Sequence, residues 1–141
     1  MTTTTGLGFA AALVRMSHLV QREFADVSRQ HDLTPQQTQL LCMLIGGPVG
    51  MTELSKLLHL EKSSLTGLVD RVERRGLVAR VADPRDRRAC QIELTPQGTQ
   101  LANDSHGEIT RRLDAVAEVL SQDDRDRLPV VVAQLLTQRD L

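Results

Sequence analysis

The side chains with the clearest chemistry are cationic and cluster in the middle of this 141-residue chain. Between Lys62 and Gln91 there are eight basic residues and four acidic ones, whereas the rest of the chain has nine basic and fourteen acidic residues. The formal net charge of the whole chain is −1. A basic segment between acidic ends is typical of a nucleic-acid-binding module attached to something else, since phosphates attract Lys and Arg. A solvated charged face is the alternative, and charge alone leaves it open.

Three of the arginines occupy a short polar segment, Asp83–Arg88, that also contains Pro84. It lies between two stretches rich in β-branched residues, Leu77–Val81 and Cys90–Leu94, which predicts a β-hairpin with a long charged tip. Arginines in such a tip do not pack in the core, so they can reach DNA phosphates or the minor groove, where Arg is electrostatically favoured. The two aspartates of the tip are expected to brace these arginines and to shape the turn.

A projecting helix is predicted immediately before the hairpin, from about Lys62 to Arg75. Its buried stripe has helical spacing and consists of Leu65, Leu68, Val69 and Val72. Gly76 follows in the left-handed position at which helices commonly end. Small hydroxyl residues near the start of the helix can approach base edges and phosphates, and the helix N-terminus favours an anion. Such a helix fits the major groove of DNA.

Gly67 is unusual inside this helix, because Gly costs about 0.8–1.0 kcal/mol there relative to Ala. Close approach of the helix to DNA or to a neighbouring helix would explain it. A simply tolerated glycine is the alternative, and the sequence leaves both open.

The elements that position these side chains are predicted to be helices. A first helix runs from Leu7 to about Gln30, after a short disordered lead at Met1–Thr5, and is broken at Asp32. Its apolar stripe has spacings of three and four and consists of Leu13, Met16, Val20, Phe24 and Val27.

Capping signals mark the next two helices. Thr34 as N-cap, Pro35 at the first helical position and Gln37 at the capping-box position start a second helix, which ends at Gly46-Gly47-Pro48. A short third helix opens at Thr52, taken as its N-cap. Its inward-facing residues are expected to be Leu54, Leu57 and Leu58. The turn His59-Leu60 then leads into the projecting helix.

Two further helices are predicted after the hairpin. Thr95-Pro96 starts the fifth helix, which continues to about Leu120, and Ser121 caps the sixth. Pro129 falls early in the sixth helix, so this helix is expected to start later or to bend there. The fold class is therefore mainly α, with six helices and a small β-hairpin.

Composition excludes several classes of protein. The chain is 40% hydrophobic but has only two aromatic residues, both Phe, which favours an aliphatic core of packed helices. No stretch approaches the roughly 18 apolar residues of a membrane span, and the start lacks the pattern of a secretory signal. Cys42 and Cys90 are too distant to make a disulfide framework. These features predict a single cytoplasmic domain.

Three motifs follow one another in the middle of the chain. They are LVDRVERRGLV (residues 68–78), DPRDRR (residues 83–88) and LTPQG (residues 94–98). Each is weak alone, but the combination is specific, and the region Met51–Gly98 resembles the MarR family of transcriptional regulators. The resemblance extends through LTPQQTQLL (residues 33–41) and covers about the middle half of the chain.

The resemblance implies a winged helix-turn-helix fold and an intertwined homodimer. Residues 1–33 would form an N-terminal dimerisation helix, residues 34–98 the DNA-binding lobe, and residues 99–141 the C-terminal dimerisation helices. The dimer would bind a pseudo-palindromic operator in double-stranded DNA and act as a repressor relieved by a small-molecule effector. A winged-helix module for partner binding or architecture, without ligand response, is the alternative.

The resemblance also implies which residues contact DNA. Those of the projecting helix would lie toward the groove, those of the hairpin tip would be wing contacts, and Thr52 would lie near a phosphate. The implied set is Thr52, Lys62, Ser63, Ser64, Thr66, Arg71, Arg74, Arg85, Arg87 and Arg88. In the family a wing arginine often bridges acidic residues instead, which leaves Arg74, Arg75 and Arg88 open. His59 departs from the family, which usually has Gly in this turn.

An effector site is the last implication of the resemblance. Family members often bind small aromatic anions between the dimerisation helices and the DNA lobe, and binding weakens DNA affinity. In this chain Arg15, His18 and Arg22 on the first helix, with Met43 on the second, would wall that region. Ordinary interface or surface roles for these residues are the alternative.

Other chemistries have little support in the sequence. Cys42 is expected to be buried filler, whereas Cys90 follows two arginines that would favour a reactive thiolate if it is exposed. The four histidines show no metal-ligand spacing, so no metal and no cofactor are expected. No nucleophile–base pair or phosphate loop indicates an enzyme.

Overall fold

The computed structural model describes residues 6–139; the lead predicted at Met1–Thr5 lies outside these residues. Within them the chain forms six α-helices, three short strands and one 3-10 turn. In chain order these are α1 (Phe9–Gln30), α2 (Pro35–Met43), β1 (Val49–Gly50), α3 (Met51–Leu58), α4 (Lys62–Arg74), β2 (Val78–Ala82), β3 (Cys90–Leu94), α5 (Pro96–Val116), the 3-10 turn Ala117–Val119 and α6 (Gln122–Thr137). The predicted six helices and hairpin are therefore confirmed. None of the helices in residues 6–139 is long and apolar enough to cross a membrane.

Three of the predicted N-caps hold the helix starts. The Thr34 hydroxyl accepts from the amide of Gln37 at 3.1 Å, and the Gln37 side chain accepts in return from the amide of Thr34 at 3.0 Å. Thr95 caps α5 through the amide of Gly98 at 3.0 Å, and Ser121 caps α6 through the amide of Asp124 at 3.2 Å. These bonds satisfy amides that have no partner within the helix, which is why the sequence signal was reliable.

The predicted start of α3 was wrong. Thr52 is the second residue of that helix, and its N-cap is Gly50, which makes no side-chain cap bond. The reason is β1, a strand that the local sequence pattern did not predict. Val49 and Gly50 pair antiparallel with Ile92 and Gln91 of β3, so the extended backbone ends at Gly50 and the helix starts directly after it.

Two further details of the helices differ from expectation. Leu57 was expected to face inward, but it is 42% exposed, because Leu54 and Leu58, one turn apart, take the buried face of this two-turn helix. Helix α6 begins at Gln122 and continues through Pro129, so the later start was wrong.

Three helices end in the same way, with a left-handed residue after the last turn. The residues are Asp32 after α1 (φ 58°), His59 after α3 (φ 57°) and Gly76 after α4 (φ 75°). At each end two backbone amides bond back across the turn, as in a Schellman motif. Only the third of these ends uses the glycine that this conformation favours.

The hydrophobic core lies in the central lobe, between α2 and the first part of α5. Its buried residues are Leu33, Leu40, Leu41, Leu44, Leu54, Leu65, Leu68, Val69, Val72, Leu77, Val78, Ile92 and Ala102. The sheet, in the order β1-β3-β2, closes one side of this core. The core is aliphatic, as the near absence of aromatic residues predicted.

The terminal helices keep much of their apolar surface uncovered in the single chain. On α1, Val27 is fully buried, but Leu13 and Met16 of the same stripe are exposed. All of α6 is exposed, including Leu128, Val131 and the other apolar residues of its second half.

Candidate nucleic-acid interface

Helix α4 buries one face and displays the other. The predicted stripe is confirmed: Leu65, Leu68, Val69 and Val72 are each 2% exposed or less. The opposite face is polar, and its exposed residues are Lys62, Ser63, Ser64, Arg71 and Arg74. The packing of α4 thus turns a row of hydroxyl and cationic groups toward solvent.

Thr66 is half-buried on this face and differs from the two serines before it. Its hydroxyl donates to the carbonyl of Lys62 at 2.8 Å, one helical turn back. Because a hydroxyl has a single proton, the Thr66 oxygen can only accept from a further partner. On a DNA base, the Thr66 oxygen can therefore accept from an amino group, or the Thr66 methyl group can make an apolar contact.

A groove of about 300 Å³ lies between the start of α3 and the start of α4. Two lysines and a threonine hydroxyl line it, namely Lys56, Lys62 and Thr52, beside the apolar Met51 and Leu65. Thr52 and Lys56 share a face of α3 because they are one turn apart. Two lysines and a threonine around one groove suit a phosphate of a DNA backbone. Sequence reasoning missed Lys56, although its spacing from Thr52 could have indicated it.

The wing tip between β2 and β3 exposes Arg85, Arg87 and Arg88. Asp83 accepts from the amide of Arg85 at 2.8 Å, and Asp86 accepts from the amide of Arg88 at 3.0 Å. These bonds shape the turn as predicted. The expected bracing of arginine side chains was wrong, because the carboxylates bond to main-chain amides. Within residues 6–139 the three guanidinium groups make no ion pair, which leaves them available to phosphates.

Arg80, on β2, links the wing to α4. Its guanidinium group contacts Asp70 at 2.6 Å and Glu73 at 2.5 Å. The hydrogen bond to Asp70 is the main reason that the pKa of Arg80 is raised above its ordinary value. The family resemblance suggested that one arginine bridges acidic residues, and in this chain that residue is Arg80. Arg80 is not among Arg74, Arg75 and Arg88, for which the sequence left this role open.

Arg74 and Arg75, at the end of α4, have different surroundings. Both are exposed, but Arg75 also donates from Nη1 to the carbonyl of Asp32 at 2.6 Å, across 43 residues of sequence. The turn before α4 is built with His59 in a left-handed conformation, so the chain forms it without the glycine usual in the family.

The four candidate effector residues are not brought together within one chain. Arg15, His18 and Arg22 are exposed on α1, and their spacing puts them on roughly the opposite face from Val20 and Phe24. Met43 is half-buried against the core of the lobe. A groove of about 250 Å³ between α1 and α2 is lined by other residues: Val20, Gln21, Phe24, Pro35, Gln36 and Gln39. The effector site stays a prediction.

The two cysteines are both half-buried and unpaired. Burial raises the pKa of the Cys42 thiol, which opposes thiolate formation there and suits the predicted packing role. Cys90 is the first residue of β3 and pairs with Ala82. In the described part of the chain no group of three or more His, Cys, Asp or Glu side chains could hold a metal ion.

Comparison with known proteins adds to this geometry. The model of the MarR family matches residues 31–89. The regulator FarR of Neisseria gonorrhoeae, described as an HTH-type transcriptional regulator, is 28% identical over 129 residues, which cover 91% of this chain and 88% of FarR. The central segment of the chain is therefore similar to the MarR family of transcriptional regulators.

Two solved structures extend the similarity to the whole fold. NadR in complex with 4-hydroxyphenylacetate has a TM-score of 0.78 at 26% identity, with 96% of each chain covered. The transcriptional repressor CouR, bound to a 23-mer DNA duplex, has a TM-score of 0.77 at 28% identity and covers 96% of this chain and 98% of its own. The matched MarR-family segment contains α2 to α4, β2 and the whole wing tip, which include the surface described above, and ends before β3. The predicted resemblance to the MarR family and the predicted winged helix fold are thus confirmed.

Proposed function

We propose that this chain is a MarR-family regulator. It acts as a homodimer that binds a pseudo-palindromic operator in duplex DNA and represses transcription until a small effector binds. The observation that carries the proposal is one surface with three cationic parts. The groove between α3 and α4 provides Lys56 and Lys62, the open face of α4 provides Arg71, and the wing tip provides arginines without an ion pair in residues 6–139.

Each part of this surface has its own role on DNA. Helix α4 enters the major groove, where Ser63, Ser64 and Thr66 lie close to base edges and Arg71 reaches further along the helix. Thr52 and the groove lysines hold a backbone phosphate. The implied wing contacts, Arg85, Arg87 and Arg88, reach phosphates or the adjacent minor groove, and Arg74 adds positive charge at the far end of α4.

A second copy of the chain would cover the apolar surface left open on α1 and α6. Phe9 on α1 is 68% exposed and Val130 on α6 is 59% exposed, and a monomer rarely leaves so many large apolar residues in water. We therefore assign residues 1–33 and 99–141 to dimerisation and residues 34–98 to DNA binding. Dimerisation also supplies the two α4 helices that a pseudo-palindrome requires.

The effector is proposed to be a small aromatic acid. NadR was crystallised with 4-hydroxyphenylacetate, which has this chemistry. Arg15, His18 and Arg22 could bind its carboxylate once a partner chain covers that face of α1, with Met43 nearby. Isothermal titration of the dimer with 4-hydroxyphenylacetate tests this, and unaltered binding by the Arg15→Ala and Arg22→Ala variants would remove these residues from the site.

The alternative is a winged-helix module that binds a protein partner or shapes DNA without sequence preference. The cationic surface favours DNA binding, since a module that did not bind DNA would not need exposed arginines on both α4 and the wing. As the family is one of transcriptional regulators, we expect no catalytic activity. Action on DNA also leads us to expect a cytoplasmic location.

The experiment is a footprint on the DNA flanking the chain's own coding region, followed by binding titrations on the protected segment. The variant Arg85→Ala/Arg87→Ala should bind less tightly, with log K less steep against log salt by roughly one unit for each phosphate that the variant no longer neutralises. The matched control is Arg29→Ala/Arg111→Ala, which removes two exposed, ion-paired arginines from α1 and α5. Equal affinity of both double variants would contradict the assigned surface.

A further inference from the structure

The last turn of α4 is held by elements outside the helix-turn-helix pair. On one side, Nη1 of Arg75 donates to the carbonyl of Asp32 at 2.6 Å, in the turn that ends α1. On the other side, the Thr95 hydroxyl at the start of α5 donates to the carbonyl of Gly76 at 2.6 Å. The end of α4 is thus tied both to α1 and to α5.

The acceptor on the α1 side is well placed for a cationic donor. Asp32 is left-handed, and its own amide bonds back to Arg29 while the next amide bonds back to Ser28. These bonds fix the turn, so the Asp32 carbonyl is held in one direction. A planar guanidinium group donating to it makes a charge-assisted hydrogen bond of defined geometry.

The contact on the α5 side is close enough to exclude a side chain. A Cβ atom on Gly98 would lie 1.8 Å from the carbonyl oxygen of Leu77, so only glycine permits this approach of α5 to the chain leaving α4. The amide of Thr95 also donates to the Leu77 carbonyl at 3.1 Å. This side is fixed by packing. On the other side, α1 is bonded to α2 through the buried hydroxyl groups of Ser28 and Thr38, and the side chain of Arg75 adds a direct bond between the end of α4 and the turn after α1.

We infer that Arg75 is a positioning residue that fixes the spacing of operator half-sites the dimer accepts. This inference rests on the proposed function, in which α1 belongs to the dimer interface and α4 reads DNA. The distance between the two α4 helices of a dimer then depends on how rigidly each is held to its own α1. Arg75 acts through the Asp32 carbonyl and does not contact DNA.

Arg74 provides a matched control for this inference. It is the neighbouring residue, also cationic and exposed, and within residues 6–139 it makes no side-chain bond to another element. Arg74→Ala therefore removes the same charge from the same end of α4 without releasing the tie to α1.

The test measures affinity for the operator and for versions with one base pair inserted or deleted between the half-sites. The wild-type protein should prefer the native spacing. Arg75→Ala should bind the native operator more weakly, by at most about tenfold, because DNA binding must then order α4 against α1, and it should bind the altered operators with little change. Its plot of log K against log salt should keep the wild-type slope, since the variant neutralises the same phosphates. Arg74→Ala should keep the wild-type spacing preference.

Two outcomes of these operator titrations overturn the inference. The first is an equal loss of affinity on all three operators with a shallower salt slope, which would make Arg75 a phosphate contact. The second is an unchanged spacing preference in Arg75→Ala. If the wild-type protein itself bound no operator specifically, the proposed function would fail first, and this inference with it.

Two further variants keep the test decisive. If Arg75→Ala does not fold, Arg75→Lys takes its place, because one ammonium donor replaces a planar fork and should weaken the same preference. Asp32→Gly keeps the left-handed turn and the carbonyl, so Arg75→Ala should have the same effect in that background. Absence of the effect there would identify the Asp32 carboxylate as the true partner and contradict the inference.

Discussion

Arg80 and Asp70 connect the wing to the helix that reads DNA, with Nη2 of Arg80 2.6 Å from Oδ1 of Asp70. The same guanidinium group contacts Glu73 one turn further along α4. The wing is also joined to the lobe through β3, which pairs with β1 and β2, and through Val78 and Ile92, which are buried in the core. The Arg80–Asp70 ion pair therefore helps to set the angle between α4 and the wing.

Loss of Arg80 should loosen the wing more than it destabilises the fold. The pair is partly solvated, so Arg80→Ala should lower the free energy of unfolding by no more than about 1 kcal/mol. Hydrogen exchange at wing amides should accelerate, and DNA affinity should fall without a change in salt slope. Arg80→Lys should be intermediate. A variant with unchanged wing exchange and unchanged DNA affinity would show that the pair is dispensable.

Gly67→Ala should raise stability while revealing whether α4 needs a bare backbone at DNA. A Cβ atom at Gly67 would meet only Arg71 Nη1, at an ordinary 3.5 Å, so the free protein has room for it. Unfolding in urea should show a gain of about 0.8–1.0 kcal/mol. Gly107→Ala in α5 is the control, since it also has room for a Cβ. If α4 approaches DNA closely at Gly67, Gly67→Ala should weaken DNA binding and Gly107→Ala should not. Equal DNA affinities of the two variants would mean that Gly67 is simply a tolerated glycine.

His59→Gly should stabilise the turn between α3 and α4. His59 is left-handed at φ 57°, a conformation that costs an L-residue about 1–2 kcal/mol and that glycine adopts without this cost. About 0.5–1 kcal/mol of the resulting gain in stability is offset, because glycine makes the unfolded chain more flexible. The expected net gain is roughly 0.5–1 kcal/mol in urea unfolding. His31→Gly serves as the control, because His31 has φ −106° and gains no relief. A destabilised His59→Gly protein would mean that the His59 side chain contributes to the fold.

Acid should weaken the ion pairs that Glu108 makes with Arg111 and Arg112 within α5. Hydrogen bonds from Arg111 and Arg112 hold the pKa of Glu108 below its ordinary value of 4.5. A carboxyl with a lowered folded pKa contributes stability that is present above pH 4.5 and is lost as the pH falls through the folded pKa. Glu108→Gln should therefore lose less Tm than wild type between pH 6 and pH 3. Glu118→Gln, an exposed control, should follow the wild-type curve, and identical curves for all three proteins would contradict this role.

Local signals in the sequence predicted much of the fold. The caps at Thr34, Thr95 and Ser121 and the buried stripe of α4 depend on residues within one or two turns, so spacing alone reveals them. The start of α3 could not be predicted in this way. It depends on the pairing of Val49 with Ile92, 43 positions later in the chain, which displaced Thr52 from the cap.

The candidate site likewise combines features that local sequence signals predict with features that depend on contacts between distant residues. The exposed residues of α4 and the wing follow from periodicity and turn chemistry. The partners of Arg75 and Arg80 do not, because Asp32 is distant in sequence and the Asp70 contact depends on how the hairpin folds back over α4. Lys56 does not follow from the apolar stripe of α3, which indicates only the residues that pack beneath α4.

The most direct test of the account is the affinity of the wild-type protein for its footprinted operator relative to a scrambled duplex of equal length, at one fixed salt concentration. Sequence-specific binding through α4 and the wing predicts a preference for the operator of roughly 10³-fold or more. Equal affinities for the two duplexes would contradict a sequence-specific regulator and leave only electrostatic attachment to DNA.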